Sequence, residues 1–168
     1  VHSHPIWRSE ECAISSTRRI VRIAERYKKK AHILHVTTKQ EIDFLSQHKG
    51  NITFEITPQH LTIYAPDCYD KLGTYAQMNP PIRDKSHYDR LWYGVKNNLN
   101  DKIGSDHAPH LKENKENIYP NSPSGMPGGG RRRRKKKTRK RKRKRKTKHR
   151  RKRKTKRKTK RKSKKRRK

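Results

Sequence analysis

Between Ser9 and Lys30 the positions Ala13, Ile14, Thr17, Ile20, Val21, Ala24 and Tyr27 recur at helical spacing. Ser9 stands where an N-cap belongs, and Glu10 and Glu11 fall in the first turn, where the helix dipole favours negative charge. Three lysines at 28–30 suit the opposite end, so the spacing predicts one helix. The run "AHILHVT" (31–37) is short and largely apolar and reads as a buried strand. An amphipathic segment over 39–48 turns Ile42 and Leu45 inward and is closed by Gly50. "NITFEIT" (51–57), rich in β-branched residues, is the next strand, and "YAQM" (75–78) is a brief further strand candidate. A helix across 84–99 carries Tyr88, Leu91, Trp92 and Val95 on one stripe, and "DKIGS" (101–105) is the last strand. From 111 to 130 the residues are polar and rich in Pro and Gly, and read as loop.

Strands alternating with helices argue for βαβ units on a parallel sheet, an α/β fold. His35, Thr57, Asn79 and Asp106 each fall at or just past the C-terminal end of a strand candidate. In a (β/α)8 barrel that is the face on which active sites are built. A closed barrel takes about 250 residues. The pattern therefore predicts a partial (β/α)8 TIM-type barrel, its last few βα units, and a chain beginning at Val1 reads as a fragment of something longer.

Composition divides the chain in two. Of its 50 Lys and Arg residues, 32 lie in 131–168, leaving 18 with all 14 acidic residues in 1–130, a net of +4 there. Residues 1–130 read as an ordinary domain. Residues 131–168 hold only Thr138, Thr147, His149, Thr155, Thr159 and Ser163 besides Lys and Arg, and a block so charged is expected to be disordered by self-repulsion. Apolar stretches long enough for a membrane span, and a signal segment, are both missing from the sequence. With Cys12 and Cys68 the only cysteines, reduced thiols and the cytoplasm are the expectation.

The stretch "GSDHAPH" (104–110) concentrates candidate chemistry. Asp106, His107 and His110 group one oxygen and two nitrogen donors, and Pro109 stiffens the turn. An Asp/His-rich surface turn is the bland alternative. His35, in "ILHVTT", is by itself more often a satisfied core histidine than a ligand. Together with Asp106 on another strand end, it favours a metal-assisted site. In "QMNPPIRD" (77–84) the prolines hold Asn79 extended, and its amide can donate and accept at once, which suits a planar amide or imide. The pair His2 and His4 has the spacing of a metal doublet, but no strand precedes it, and a solvated loop is expected.

"HPIWRSEECAISSTRRIVRIAE", "HILHVTTKQEIDFL", "FEITPQHLT", "AQMNPPIRD", "GSDHAPH" and "SPSGMPG" occur in the order found in dihydroorotases of the amidohydrolase superfamily, which residues 1–129 resemble. The resemblance implies a zinc-bearing (β/α)8 barrel, with one or two Zn2+ ions in the complete enzyme. Such an enzyme reversibly hydrolyses dihydroorotate to N-carbamoyl-aspartate in pyrimidine biosynthesis. It implies that His35 ligates zinc, and that Asp106 ligates zinc and serves as general base. Asn79 and His110 are implied to contact the dihydroorotate ring and carboxylate, with loop contacts from Ser124 and Gly125. The family's N-terminal H-x-H, its arginine and asparagine for the substrate carboxylate, its bridging lysine or aspartate and a further histidine all lie upstream of the matched segment. Residues 1–168 by themselves are therefore expected to be inactive.

The basic tail is expected to bind polyanions such as nucleic acid without sequence preference, through counterion release. It lacks the aromatic platforms of single-strand binders. A nucleic-acid-binding protein acting through this tail is thus the rival reading. A shifted reading frame through a purine-rich repeat also yields such a run, and is the favoured account of the tail. Within the hydrolase class, a hydantoinase or allantoinase is the neighbouring alternative, and assembly into a homo-oligomer is open.

Overall fold

The computed structural model describes residues 1–128, and the 131–168 tail lies outside the described residues. Three strands, β1 (Ala31–Ile33), β2 (Ile52–Ile56) and β3 (Lys102–Ile103), form a parallel sheet in the order β1-β2-β3. Ala31 pairs with Ile52 and Ile33 with Phe54, while Glu55 pairs with Lys102 and Ile56 with Ile103. The helices are α1 (His4–Trp7), α2 (Glu10–Arg26), α3 (Lys39–Ser46), α4 (Asp67–Leu72), α5 (Lys85–Lys96) and α6 (Lys112–Lys115). The α/β class read from the periodicity is what the chain adopts.

Each long helix begins where its side chains can cap it. Ser9 Oγ accepts from the Cys12 amide, and Asp84 accepts from the Ser86 and His87 amides. Thr38 and Glu41 form a reciprocal capping box at the start of α3. Of the positions expected inward on α2, Ile14, Thr17, Val21 and Ala24 are buried, whereas Ile20 and Tyr27 are exposed. Val21, Ala24, Ile42, Leu45 and Leu91 from three helices close on Ile52, Phe54 and Ile56 of β2. Burial of these side chains is the main stabilising term here, roughly 1.5–3 kcal/mol for each fully buried one.

Four local expectations are corrected. The strand expected over 31–37 stops at Ile33, because His35 adopts a left-handed conformation with φ 54° before Val36 rejoins the ladder by donating to Glu55 O. The segment 75–78 is no strand: Gly73–Ala76 forms a 3₁₀ turn, and the carbonyls beyond it accept from Lys115, Gly125 and His4 rather than from a neighbouring strand. His4 does not lie in a solvated loop. It is buried in α1 and donates through Nε2 to Met78 O at 2.9 Å. The loop expected from 111 onward contains α6.

Glu41 organises the connection that follows His35. Its Oε1 accepts from Thr17 Oγ1 at 2.8 Å, and its Oε2 accepts from the amides of Thr37 and Thr38 at 3.3 and 3.1 Å and from Thr38 Oγ1 at 2.9 Å. Thr37, Thr38 and Glu41 are all buried. Glu41→Ala is therefore expected to leave several buried donors unpaired and to lower stability by roughly 2–4 kcal/mol. Urea unfolding followed by circular dichroism measures this, and a loss within about 0.5 kcal/mol, as at a surface site, would contradict it.

Candidate active site

The two residues proposed as metal ligands are brought together. His35 stands two residues beyond β1, and its Nε2 is 3.7 Å from Asp106 Oδ1. Asp106 stands three residues beyond β3, and like His35 it is left-handed, with φ 36°. Non-glycine residues in this region are uncommon, although His and Asp are enriched among them, and such strain concentrates at functional sites. The turn at Asp106 is held from β2: Gln59, buried just past that strand, donates through Nε2 to Ser105 O at 3.1 Å and Asp106 O at 3.3 Å.

The face of β2 turned away from the helices carries Thr53, Glu55 and Thr57, and each engages a histidine. Thr53 Oγ1 lies 2.8 Å from His32 Nδ1, and Thr57 Oγ1 lies 2.6 Å from His60 Nδ1. Glu55 Oε2 accepts from His32 Nε2 at 3.3 Å, and Oε1 lies 3.0 Å from His35 Nδ1, without the alignment of a hydrogen bond. His60 is fully buried and donates through Nε2 to Pro80 O at 3.1 Å, so it ties the end of β2 to the turn that presents Asn79. Glu55, Gln59 and His60 were not among the residues expected from sequence. The alternation of Thr53, Glu55 and Thr57 in "NITFEIT" was the available signal, since a glutamate there marks a second, polar face.

The other predicted residues form a second group. His110 Nε2 donates to Ser124 O at 3.0 Å. Gly125 donates to Gln77 O at 3.0 Å, and its φ of 144° suits glycine alone. A Cβ there would also come within 2.7 Å of Ala108 O and of His110 Nε2. Gln77 Nε2 donates to Ser122 O at 2.8 Å, and buried Lys115 Nζ donates to Gln77 O and Pro123 O at 3.0 and 2.9 Å. Burial pushes the Lys115 ammonium below the usual lysine range. Asn79, two residues after Gln77, is exposed and follows Met78, whose carbonyl His4 holds. Arg83 anchors the far side of this turn by donating to Pro5 O, Arg8 O and Ser9 O at 3.4, 2.6 and 3.3 Å.

His35 and Asp106 offer one nitrogen and one oxygen donor to a common point, and the Glu55 carboxylate behind His35 is the backing that metal-bound histidines commonly have. The pair suits part of a metal's ligand shell. Among the described residues, no group of three or more His, Cys, Asp or Glu side chains is placed to hold an ion.

The fold is similar to that of hydantoinases of the amidohydrolase superfamily. L-hydantoinase from Arthrobacter aurescens has a TM-score of 0.59 and 27% identity, over 67% of this chain and 26% of its own. D-hydantoinase from Bacillus sp. AR9 has a TM-score of 0.67 and 25% identity, over 76% of this chain and 30% of its own. In sequence the resemblance to dihydroorotases is borne out. The dihydroorotase of Methanosphaera stadtmanae is 34% identical over 125 residues, 72% of this chain and 28% of that protein. That of Ehrlichia canis is 39% identical over 88 residues, 51% of this chain and 20% of that protein. The chain thus spans a little over a quarter of the length of the first curated relatives it matches, 28% and 29%. No family model matches.

Burial pushes His60 down to about 4, its donation to Pro80 only partly opposing this. Below the ordinary imidazole pKa, near 6.5, the unfolded chain takes up a proton that the folded chain refuses. Stability from this residue is therefore complete above about pH 6.5 and drains away as pH falls towards 4, on the order of 3 kcal/mol over the window. His60→Gln, which retains a donor for Pro80, is expected to flatten that acid limb. Urea midpoints at about pH 7 and 4.5 check it, and equal slopes in wild type and variant would refute it.

Proposed function

We propose that residues 1–130 are a partial (β/α)8 barrel that supplies the C-terminal part of a zinc-dependent dihydroorotase active site, and that residues 131–168 are a separate basic segment. One observation carries the reading: His35 and Asp106, on strained turns past parallel strands, converge to 3.7 Å with a carboxylate behind the histidine. The likeness to proteins named dihydroorotase supports dihydroorotate as substrate, pyrimidine biosynthesis as the setting and the cytoplasm as the location. Among the described residues no helix is long and apolar enough to cross a membrane.

In this reading His35 Nε2 and Asp106 would hold zinc, together with ligands from the part of the barrel outside the match, and zinc held there would supply a Lewis acid for the ring carbonyl and would lower the pKa of water. Asp106 accepts the proton of the attacking water and delivers it to the departing ring nitrogen. Asn79, with a donor and an acceptor on one amide, orients the planar imide of the ring, and His110 takes the substrate carboxylate through Nδ1, since its Nε2 is engaged by Ser124 O. Ser124 and Gly125 close the loop beside it.

A chimera tests the proposal. Residues 1–128 replace the matching segment of the Methanosphaera stadtmanae dihydroorotase, and turnover of dihydroorotate and of hydantoin is measured. Asp106→Asn is expected to lower kcat by about 10²–10⁴-fold with little change in KM. His110→Ala is expected chiefly to raise KM. Near-normal rates in both variants would sink the assignment, and a preference for hydantoin would move the substrate to the neighbouring class. The 168-residue chain alone is expected to give no zinc-dependent rate above buffer.

The tail supports a second property, because 32 of its 38 residues are basic. It is expected to bind DNA and RNA without sequence preference, with binding collapsing between about 50 and 200 mM salt. Filter binding or fluorescence anisotropy measures this with and without residues 131–168. Undiminished binding by residues 1–130 would transfer the interaction to the domain.

A further inference from the structure

Glu55, so far only the carboxylate behind His35, lies at the centre of the polar face of β2. It is buried, and its two oxygens face two different histidines: Oε2 takes His32 Nε2 at 3.3 Å, and Oε1 lies 3.0 Å from His35 Nδ1. His32 is fixed in turn through Nδ1 by Thr53. His35 Nδ1 is inaccessible to solvent and, among the described residues, has no aligned hydrogen-bond partner, so Glu55 Oε1 is the polar group that faces it. The fold also makes room for this carboxylate. A Cβ at Gly104, on the turn leading to Asp106, would overlap the Glu55 carboxyl group.

We propose that Glu55 is the positioning residue of the site, holding the proton of His35 on Nδ1 so that the Nε2 lone pair faces Asp106. This rests on the metal-site reading above and adds a residue to it. A neutral imidazole carries one N–H and one lone pair. A lone pair directed at a buried carboxylate 3.0 Å away is repelled, whereas an N–H there is attracted. The competing carboxylate, Asp106, stands farther from its nitrogen, at 3.7 Å, and is more exposed. The nearer and drier carboxylate dominates, since Coulomb attraction strengthens with shorter distance and lower dielectric. The tautomer that results is the one a metal requires, with Nε2 unprotonated and Nδ1–H backed by a carboxylate. Gly104 then has a reason beyond turn geometry: it keeps the seat of Glu55 open.

The test uses the whole 168-residue chain labelled with 15N-histidine. Long-range 1H–15N correlation at about pH 8.5, two units above the ordinary imidazole pKa, separates Nδ1–H from Nε2–H tautomers. The His35 signal is assigned by its loss in His35→Asn. Wild type is expected to show His35 mainly as Nδ1–H. In Glu55→Leu the ratio is expected to invert towards Nε2–H, and in Glu55→Gln, which keeps a weaker acceptor, to fall part of the way. Gly104→Ala, which displaces the carboxylate without altering it, is expected to act in the same direction. A wild-type His35 protonated on Nε2 overturns the proposal whatever the variants do, as does an unchanged tautomer ratio in folded Glu55→Leu or Glu55→Gln. Adding Zn2+ to the chimera described above, labelled in the same way and carrying the remaining ligands, separates this from the metal reading. A zinc-induced shift of Nε2 with Nδ1–H retained supports both, whereas an intact Nδ1–H tautomer with no response to zinc would sink the metal site and leave the positioning role standing.

Discussion

β2 has to satisfy two opposite environments at once, and the rest of the chain is arranged around that constraint. Ile52, Phe54 and Ile56 need helices over them, which α2, α3 and α5 provide through Val21, Ala24, Ile42, Leu45 and Leu91. Thr53, Glu55 and Thr57 point the other way and cannot be left without partners, because a buried polar group without one costs about 1–3 kcal/mol. Their partners are three histidines: His32 on β1, His35 just past it, and His60 from the turn after β2 itself. The chemistry of the site is therefore the solution to a packing problem on one strand. Shifting β2 by one residue would exchange its faces and destroy core and site together.

The same strand allows strain at the two proposed ligands. A non-glycine residue in the left-handed region costs of order 1–3 kcal/mol and persists only when its surroundings fix it. For His35 the fixing is done by Val36, which returns to β2 through Glu55 O, and by Glu41, which gathers the amides of Thr37 and Thr38. For Asp106 it is done by Gly104, which donates to Ile56 O, and by Gln59, which holds the two carbonyls of the turn. Each strained residue is thus fixed by hydrogen bonds to its neighbours in the chain, from β2 and, for His35, also from α3. This is how two side chains about 70 positions apart can meet without a direct hydrogen bond between them.

The sequence made the helices legible because their signals are local. Ser9 and Asp84 cap the amides two or three residues on, and the inward stripe of α2 follows from spacing alone. It made His35 and Asp106 legible through their place at strand ends, and the motif resemblance sharpened both. Residues whose meaning comes from distant partners stayed hidden. His4 looked solvent-bound until Met78 supplied an acceptor 74 residues away, and His60 takes its role from Pro80, 20 residues on. The segment 75–78 misled for the same reason. Its apolar side chains, Ala76 and Met78, are buried as a strand's would be, but its backbone partners are a lysine ammonium, a glycine amide and a histidine ring. Hydrophobic pattern reports burial, and only the destination of the backbone hydrogen bonds distinguishes a strand from an irregular segment.

Lys115 shows how the second group of residues is kept ready. A buried ammonium is unfavourable unless its protons are taken, and here Gln77 O and Pro123 O take two of them. Thr74 and Ser122 in turn donate to Lys115 O, and Gln77 reaches Ser122 O through its amide. Most of the restraint on the loop ending at Ser124 and Gly125 therefore comes from carbonyls and amides of the main chain. Among the described residues the Ser124 hydroxyl accepts only a long bond, 3.4 Å, from Gln77 Nε2, and His110 spends one ring nitrogen on Ser124 O while the other is unengaged. A loop fastened by its backbone leaves its side chains available to a ligand. The buried lysine and glutamine carry the structural load, so that exposed Asn79 and His110 need not.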